Sequence, residues 1–189
     1  MLRHVASCLL CLVLFTAGFA ASAAEAPPRP EPVVDVERDG SHLAVDIKMT
    51  VAVPVATAWD VLTDFPNMAR FVPNLSASDS VSEAPNRLRV TQKGTARWGP
   101  LAFDFESVRR ITLHPMSRIE ATTLSGKISK MSSVCQLSHA DAGAHIQYHA
   151  DAEIDFWLPP VVGVSAMRQE LAEQFAAMGK EMLRRAVTH

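Results

Sequence analysis

Cysteine is scarce in this sequence. Only three cysteines occur in 189 residues, and Cys8 and Cys11 fall in an apolar N-terminal segment, which leaves Cys135. One cysteine cannot form an internal disulfide, even in an oxidising compartment. A cysteine nucleophile needs an adjacent base and a lowered pKa. Cys135 instead shares one face of a predicted strand with Met131, Ser133 and Leu137, which favours a small buried hydrophobic residue.

Several signatures of catalysis and binding are also missing. The sequence contains no Gly-x-Ser-x-Gly elbow, no phosphate-binding loop and no dinucleotide fingerprint. His145 and His149 are four residues apart on a predicted strand, about 13 Å at 3.3 Å per residue, so they cannot share a metal ion. Asp151, Glu153 and Asp155 alternate away from the apolar face and predict a solvated surface. We therefore predict no metal site, no cofactor and no established catalytic set.

Basic residues are not in excess. The chain has 18 Lys and Arg against 20 Asp and Glu, a net charge of −2. Phosphate binding requires a basic patch, so this balance disfavours a nucleic-acid partner. It also provides no polybasic membrane anchor, although transient membrane contact remains compatible with it, and the oligomeric state is left open.

The N-terminus has the pattern of a secretory signal peptide. Arg3 and His4 precede an apolar run from Leu9 to Phe15, and small residues follow up to Ala24. The run is shorter than the roughly 20 residues of a spanning helix, which favours cleavage near Ala23 or Ala24 over a retained anchor. We expect a signal peptide at 1–24, a proline-rich linker at 25–32 and one domain at 33–189. The expected location is the bacterial periplasm.

Strand patterns dominate the middle of the chain. Val45, Ile47, Met49, Val51 and Val53 alternate with polar residues after an Asp39-Gly40 turn signal. Two short helices follow, one through Trp59 and one through Met68 to Phe71. Leu101, Phe103 and Phe105 alternate next, and Val108, Ile111 and Leu113 suggest a change of phase and a bulge. The clearest strand has Ile146, Tyr148, Ala150, Ala152, Ile154 and Phe156 on one face.

The C-terminal segment predicts one long amphipathic helix. Val164, Met167, Leu171, Phe175, Met178 and Met182 recur at three- and four-residue steps. A helix from Val164 to Val187, after a break at Gly163, would be about 36 Å long. The whole pattern predicts an α+β fold, with a curved antiparallel sheet of about seven strands and the long helix enclosing a hydrophobic cavity.

The segment from Val51 to Pro66, VAVPVATAWDVLTDFP, and the following Phe71-Val72-Pro73 carry a family resemblance. The sequence from Leu43 onward resembles the START-like helix-grip (SRPBCC) superfamily. It is most similar to the polyketide cyclase/dehydrase and lipid-transport branch that includes coenzyme Q-binding START-like proteins. The resemblance implies a cavity for a lipid, quinone, polyketide or hormone. It implies that Trp59 packs in the core, that Phe65, Met68 and Phe71 lie near the cavity mouth, and that Met167, Leu171, Phe175 and Met178 form its floor.

The strands add further candidate ligand contacts. Inward-facing positions on the predicted strands would line the same cavity: Phe103, Phe105, Met131, Tyr148 and Ala150. Arg97 and Trp98 beside the Gly99-Pro100 turn could orient a polar headgroup, or could simply end a hairpin. Methionine suits a flexible apolar ligand and equally fills ordinary cores.

Two functions remain from this pattern. The first is an exported carrier of a hydrophobic small molecule such as a lipid, isoprenoid or quinone. The second is a polyketide cyclase or dehydratase that uses the same cavity, with Tyr148, the sole tyrosine, as its candidate acid or base. A packed domain that acts through a protein partner is a third reading.

Overall fold

The structure is a computed structural model that describes residues 30–98, 101–126, 128, 130–154 and 160–188, without the side chains of residues 98, 101 and 160–162. The expected signal peptide, most of the expected linker, Asp155 and Phe156 lie outside these residues. The described elements are β1 (Val33–Asp39), β2 (His42–Val51), α1 (Val55–Thr63), a 3₁₀ helix (Phe65–Arg70), β3 (Leu75–Ala84), β4 (Arg87–Trp98), β5 (Leu101–His114), β6 (Arg118–Gly126), β7 (Lys130–Ala140), β8 (Gly143–Glu153) and α2 (Pro160–Thr188).

The strands form one antiparallel sheet in the order β1-β2-β8-β7-β6-β5-β4-β3. It has eight strands rather than the predicted number of about seven, because β1 and the weakly patterned β3 both pair along their lengths. The sheet, α1, the 3₁₀ helix and α2 share a single core of buried apolar residues. The α+β architecture predicted from the pattern is confirmed: a curved antiparallel sheet carries one long C-terminal helix.

Period-two alternation sets the inner face of the sheet. Ile47 on β2 lies opposite Tyr148 on β8, which in turn lies opposite Cys135 on β7. Ile47 and Cys135 are buried, while the residues between inward positions point to solvent. Trp59 on α1 is also buried, as the family resemblance implies.

Helix α2 spans 29 residues from Pro160 to Thr188. It begins before the predicted start at Val164 and passes through Gly163 without a break. Proline is well tolerated in the first helical turn, where its missing N–H has no intrahelical partner. Of the predicted apolar face, Met167, Phe175, Met178 and Met182 are buried, and Val164 and Leu171 are partly buried against the core.

The chain before β1 packs against the same helix. Pro30 is buried, and a Cβ at Gly179 would lie 2.7 Å from the Pro30 Cγ and 3.3 Å from the Met49 Sδ. Gly179 therefore allows the backbone of α2 to approach both residues closely. The last part of the proline-rich segment is thus in contact with the domain.

The change of phase that the sequence predicted in β5 is wrong. Its pairing with β4 continues without a register shift from Leu101 to Thr112, so the odd-numbered residues face inward throughout. The irregularity lies on the other side, where Val108 opposes Ser125 and Arg109 opposes Thr123. The extra residue is therefore Leu124 on β6, and β5 itself has no bulge. Ser107 and Arg109 consequently occupy inward positions.

Among the described residues, no helix is both long enough and apolar enough to span a membrane.

Candidate functional site

Two clefts open at one end of the sheet, where β4, β6 and β8 end and α2 begins. The larger, about 860 Å³, is lined by Ser76, Lys93, Gly94, Thr95, Asp104, Phe105, Glu106, Val108, Ser125 and Gly126. The smaller, about 400 Å³, is lined by His42, Thr122, Thr123, Lys130, Met131, Ser132, Asp151, Ala152 and Glu153. Phe105, Met131 and Ala152 face inward, whereas most of the other lining residues face outward. Neither lining includes a described residue of α2.

A set of polar side chains lies on the inner face of the sheet. We call Gln92, Arg109, Ser133 and Tyr148 the interior polar cluster. Gln92 on β4 is only 5% exposed and Ser133 on β7 only 7%. The Gln92 amide donates to the Ser78 Oγ at 3.1 Å and lies 3.4 Å from the Met68 Sδ. Its amide oxygen accepts a hydrogen bond from the Arg109 guanidinium.

The Arg109 guanidinium has no anionic partner among the described residues. It takes part in none of their ion pairs, and its Nε is buried without a hydrogen-bond partner. Burial lowers the pKa of Arg109, and the neighbouring Tyr148 acts in the opposite direction. A buried cation is normally paired, and the described residues leave the charge of this arginine unpaired.

Tyr148 connects the cluster to α2. Its ring centroid lies 5.4 Å from that of Phe175, with the planes tilted by 58°, a favourable aromatic geometry. Burial raises the pKa of the Tyr148 hydroxyl, while a hydrogen bond with Ser133 and the charge of Arg109 offset part of that rise. The hydroxyl is therefore protonated at neutral pH. It can donate a hydrogen bond or a proton, but it is a poor base.

A second polar contact joins α2 to the strands at the open end. The Glu170 carboxylate accepts one hydrogen bond from the Asn74 amide at 2.7 Å and another from the Arg97 backbone N–H at 2.8 Å. Burial raises the pKa of Glu170, and these two donors oppose the rise. On β4, Gly94 admits the Asn74 carbonyl, which would lie 2.0 Å from a Cβ there. The contact fixes the first half of α2 beside β4.

The predicted contact residues fall in different parts of this interior. Met167, Phe175 and Met178 on α2 and Ala150 on β8 are buried, and Leu171 and Tyr148 are partly buried in the same core. Phe105 and Met131 line the two clefts, and Phe103 is half-buried on the inner face of β5.

The candidates from the helical region and the β4 turn are more dispersed. Phe65 and Met68 are buried, and Met68 reaches the cluster through Gln92. Phe71 lies at the C-terminal end of α2, where the Arg185 guanidinium carbon is 5.7 Å above its ring. The Arg97 side chain is exposed, and the Trp98 side chain lies outside the described residues.

Sequence reasoning missed Gln92, Arg109 and Ser133 as members of one site. The sequence did contain a sign of this site. On β5, the polar Arg109 falls at an inward position in a series whose other members include Phe105 and Ile111. The supposed phase change in β5 concealed it. Cys135 lies nearby, and burial raises its pKa to about 12, which makes it unsuited to act as a nucleophile.

The histidines on the outer face of the sheet have separate partners. His149 Nδ1 lies 2.9 Å from an Asp46 oxygen and its Nε2 lies 3.0 Å from an Asp151 oxygen. The His145 ring nitrogen lies 2.9 Å from the Thr50 hydroxyl. These are surface contacts within β8 or between β8 and β2, on the face opposite the interior polar cluster.

The sequence matches a known protein family over most of its length. Residues 42–189 match the family model described as polyketide cyclase / dehydrase and lipid transport. The chain belongs to this family. No curated protein matches the sequence.

Solved structures share the fold at low identity. The aromatase/cyclase Zhui from Streptomyces sp. R1128 is 19% identical with a TM-score of 0.63, over 78% of this chain and 98% of that one. A STAR-related lipid transfer protein from Xanthomonas axonopodis is 11% identical with a TM-score of 0.60, over 79% and 98%. TTHA0849 from Thermus thermophilus is 10% identical with a TM-score of 0.63, over 76% and 99%. The shared fold is START-like, and at these identities it does not specify the ligand.

Proposed function

We propose that this protein is an exported carrier that binds a hydrophobic small molecule between the inner face of the sheet and α2. The family and the fold support binding of such a molecule. The observation that carries the proposal is the interior polar cluster, a few convergent polar groups within an otherwise apolar interior. Ligand sites commonly have this composition.

Export is part of the proposal and rests on the N-terminal sequence. The basic residue, apolar run and small residues up to Ala24 have the order of a cleaved signal peptide. N-terminal sequencing of the protein from a periplasmic extract should give a start at residue 24 or 25. A start at Met1 in the membrane fraction would contradict export by cleavage.

Native mass spectrometry of the protein isolated from its own compartment tests the carrier function. We expect an additional mass that is released by organic extraction and that belongs to an apolar molecule. Recombinant protein stripped of ligand should then rebind lipids or isoprenoids from a panel. An unliganded native protein, together with no binding across that panel, would overturn the proposal.

Catalysis of the cyclase or dehydratase type is the second candidate. The observation in its favour is the protonated Tyr148 hydroxyl next to Arg109, since general-acid catalysis requires a proton donor in a dry site. With an aromatic polyketide substrate, Tyr148→Phe should lower kcat by about 100-fold or more while KM changes little. Unchanged kcat in that variant would exclude Tyr148 as the acid.

A further inference from the structure

The interior polar cluster carries one cation and, among the described residues, no anion. Of the residues that the structure describes, Tyr148 alone acts electrostatically on Arg109, and it is neutral at neutral pH because burial raises its pKa. Gln92 supplies one amide oxygen to the guanidinium, which leaves the buried Nε–H without an acceptor. The described residues therefore supply this site with neither a negative charge nor an acceptor for the Arg109 Nε–H.

We propose that the ligand bears a carboxylate, which binds the Arg109 guanidinium while its apolar part lies against Phe175 and Met178. This proposal rests on the carrier function and specifies its ligand class. A guanidinium offers parallel N–H donors that match the two oxygens of a carboxylate. The ligand carboxylate would supply both the acceptor and the charge that the interior lacks.

The charge balance favours a carboxylate over a phosphate monoester. One carboxylate neutralises one guanidinium, so the liganded interior carries no net charge. A phosphate monoester carries nearly two negative charges at neutral pH and would leave one of them buried. Uncompensated buried charge is costly. Ser133 and Tyr148 supply further hydroxyl donors near the guanidinium, but the preference for a carboxylate rests on the charge balance.

Matched ligands test the proposal directly. Binding of a C16 carboxylic acid, its methyl ester, the C16 alcohol and the C16 alkyl phosphate can be measured by displacement of a neutral fluorescent probe at pH 7.5. The wild-type protein should bind the acid at least 10-fold more tightly than the ester, the alcohol and the phosphate. Equal affinities for acid and ester, or a preference for the phosphate, would overturn the carboxylate assignment.

Variants of two adjacent arginines test whether the preference for the acid depends on Arg109. Arg109→Gln should remove the preference for the acid and leave the affinity for the alcohol within about 3-fold of the wild-type value. Arg109→Lys should retain part of the preference for the acid. Arg110→Gln is the control, because Arg110 points outward and pairs with Glu83. It should behave like the wild type. An equal loss of the preference for the acid in Arg110→Gln, or an unchanged preference in Arg109→Gln, would show that Arg109 does not bind the carboxylate.

The outcomes separate this inference from the carrier function. If the alcohol and ester bind but the acid has no advantage, the carrier proposal stands and the carboxylate assignment fails. If none of the four ligands displaces the probe and the probe itself does not bind, both fail. Circular dichroism of each variant confirms that a loss of binding reflects the site rather than the fold.

Discussion

The environment of Arg109 conflicts with its charge, because the guanidinium is buried and its Nε has no hydrogen-bond partner among the described residues. It occupies an inward position on β5, opposite the fully buried Val90 on β4. Its desolvation is only partly compensated by the hydrogen bond to Gln92, so it costs stability, and binding of an anion would offset that cost. Such a conflict between a side chain and its surroundings is typical of functional positions.

Replacing this cation should stabilise the ligand-free protein. We expect Arg109→Met to raise the free energy of unfolding by about 1–2 kcal/mol, because relief of the buried charge exceeds the loss of the hydrogen bond to Gln92. Urea denaturation measures the difference, with Arg110→Met as the exposed control. A loss of several kcal/mol in Arg109→Met would show that the guanidinium is already well satisfied.

Cys135 should be unreactive in the folded protein. Its pKa is raised to about 12 by burial, so the thiolate fraction at pH 8 is roughly 1,000-fold below that of an ordinary cysteine thiol. Labelling with a thiol reagent should be correspondingly slow in buffer and fast in 6 M guanidinium chloride. Rapid labelling of the native protein would contradict the buried position.

Among the elements, β2, β8 and α2 could be predicted from sequence, whereas β5 was predicted as a strand but with the wrong phase beyond Phe105. Alternation in β8 and the three- and four-residue spacing in α2 follow directly from burial of one face. In β5, Ser107 and Arg109 occupy inward positions that the pattern would fill with apolar residues, so the phase was misread. The start of α2 was placed late because Gly163 and Pro160 resemble helix breakers, although proline is tolerated in a first turn. The site was missed because the misread phase of β5 placed Arg109 on the wrong face of the sheet.

The C-terminal end of α2 is held by Arg185. Its guanidinium donates to Asp64 at 2.7 Å and to Glu181 at 2.8 Å, and it lies above the Phe71 ring. Hydrogen bonds from Arg184 and Arg185 lower the pKa of Glu181 to about 2. Since this pKa lies below that of an unfolded glutamate, the contribution of Glu181 to stability is present above about pH 4.5 and is lost as the pH falls through about 2.

Removing this contact should weaken the attachment of α2. We expect Arg185→Met to lower the free energy of unfolding by about 1–3 kcal/mol, since it leaves two part-buried carboxylates with fewer partners. Arg184→Met is the matched control, because Arg184 pairs with the same Glu181 but is 64% exposed, and should cost less than about 1 kcal/mol. Equal losses in the two variants would contradict a specific role for Arg185.

The other end of α2 should respond to mild acid through Glu170. Its pKa is raised by burial, so the folded protein holds this proton more tightly than the unfolded chain. The stability of the wild type relative to Glu170→Gln should therefore decrease as the pH rises from the unfolded pKa through the folded pKa, and then level off. Parallel thermal unfolding curves from pH 4 to pH 8 measure this. A difference independent of pH would contradict the burial of the charged carboxylate.

At the scale of the whole molecule, curvature of the sheet creates the site. Strands β5 and β8 are separated by β6 and β7 in the sheet order, yet Arg109 and Tyr148 lie close enough to affect each other's pKa. The Phe175 ring on α2 packs against the Tyr148 ring. Residues far apart in sequence therefore form one cluster only once the sheet is bent around the helix, which explains why sequence patterns predicted the fold better than the site.

Photo-crosslinking tests most directly whether the ligand lies between the sheet and α2. A C16 carboxylic acid with a terminal diazirine would be bound, irradiated and its adducts mapped by peptide mass spectrometry. We predict adducts on Met131, Phe175 and Met178 that disappear with excess unlabelled acid. Adducts confined to exposed apolar residues such as Val33, Val81 and Val187, unaffected by the competitor, would contradict an interior binding site.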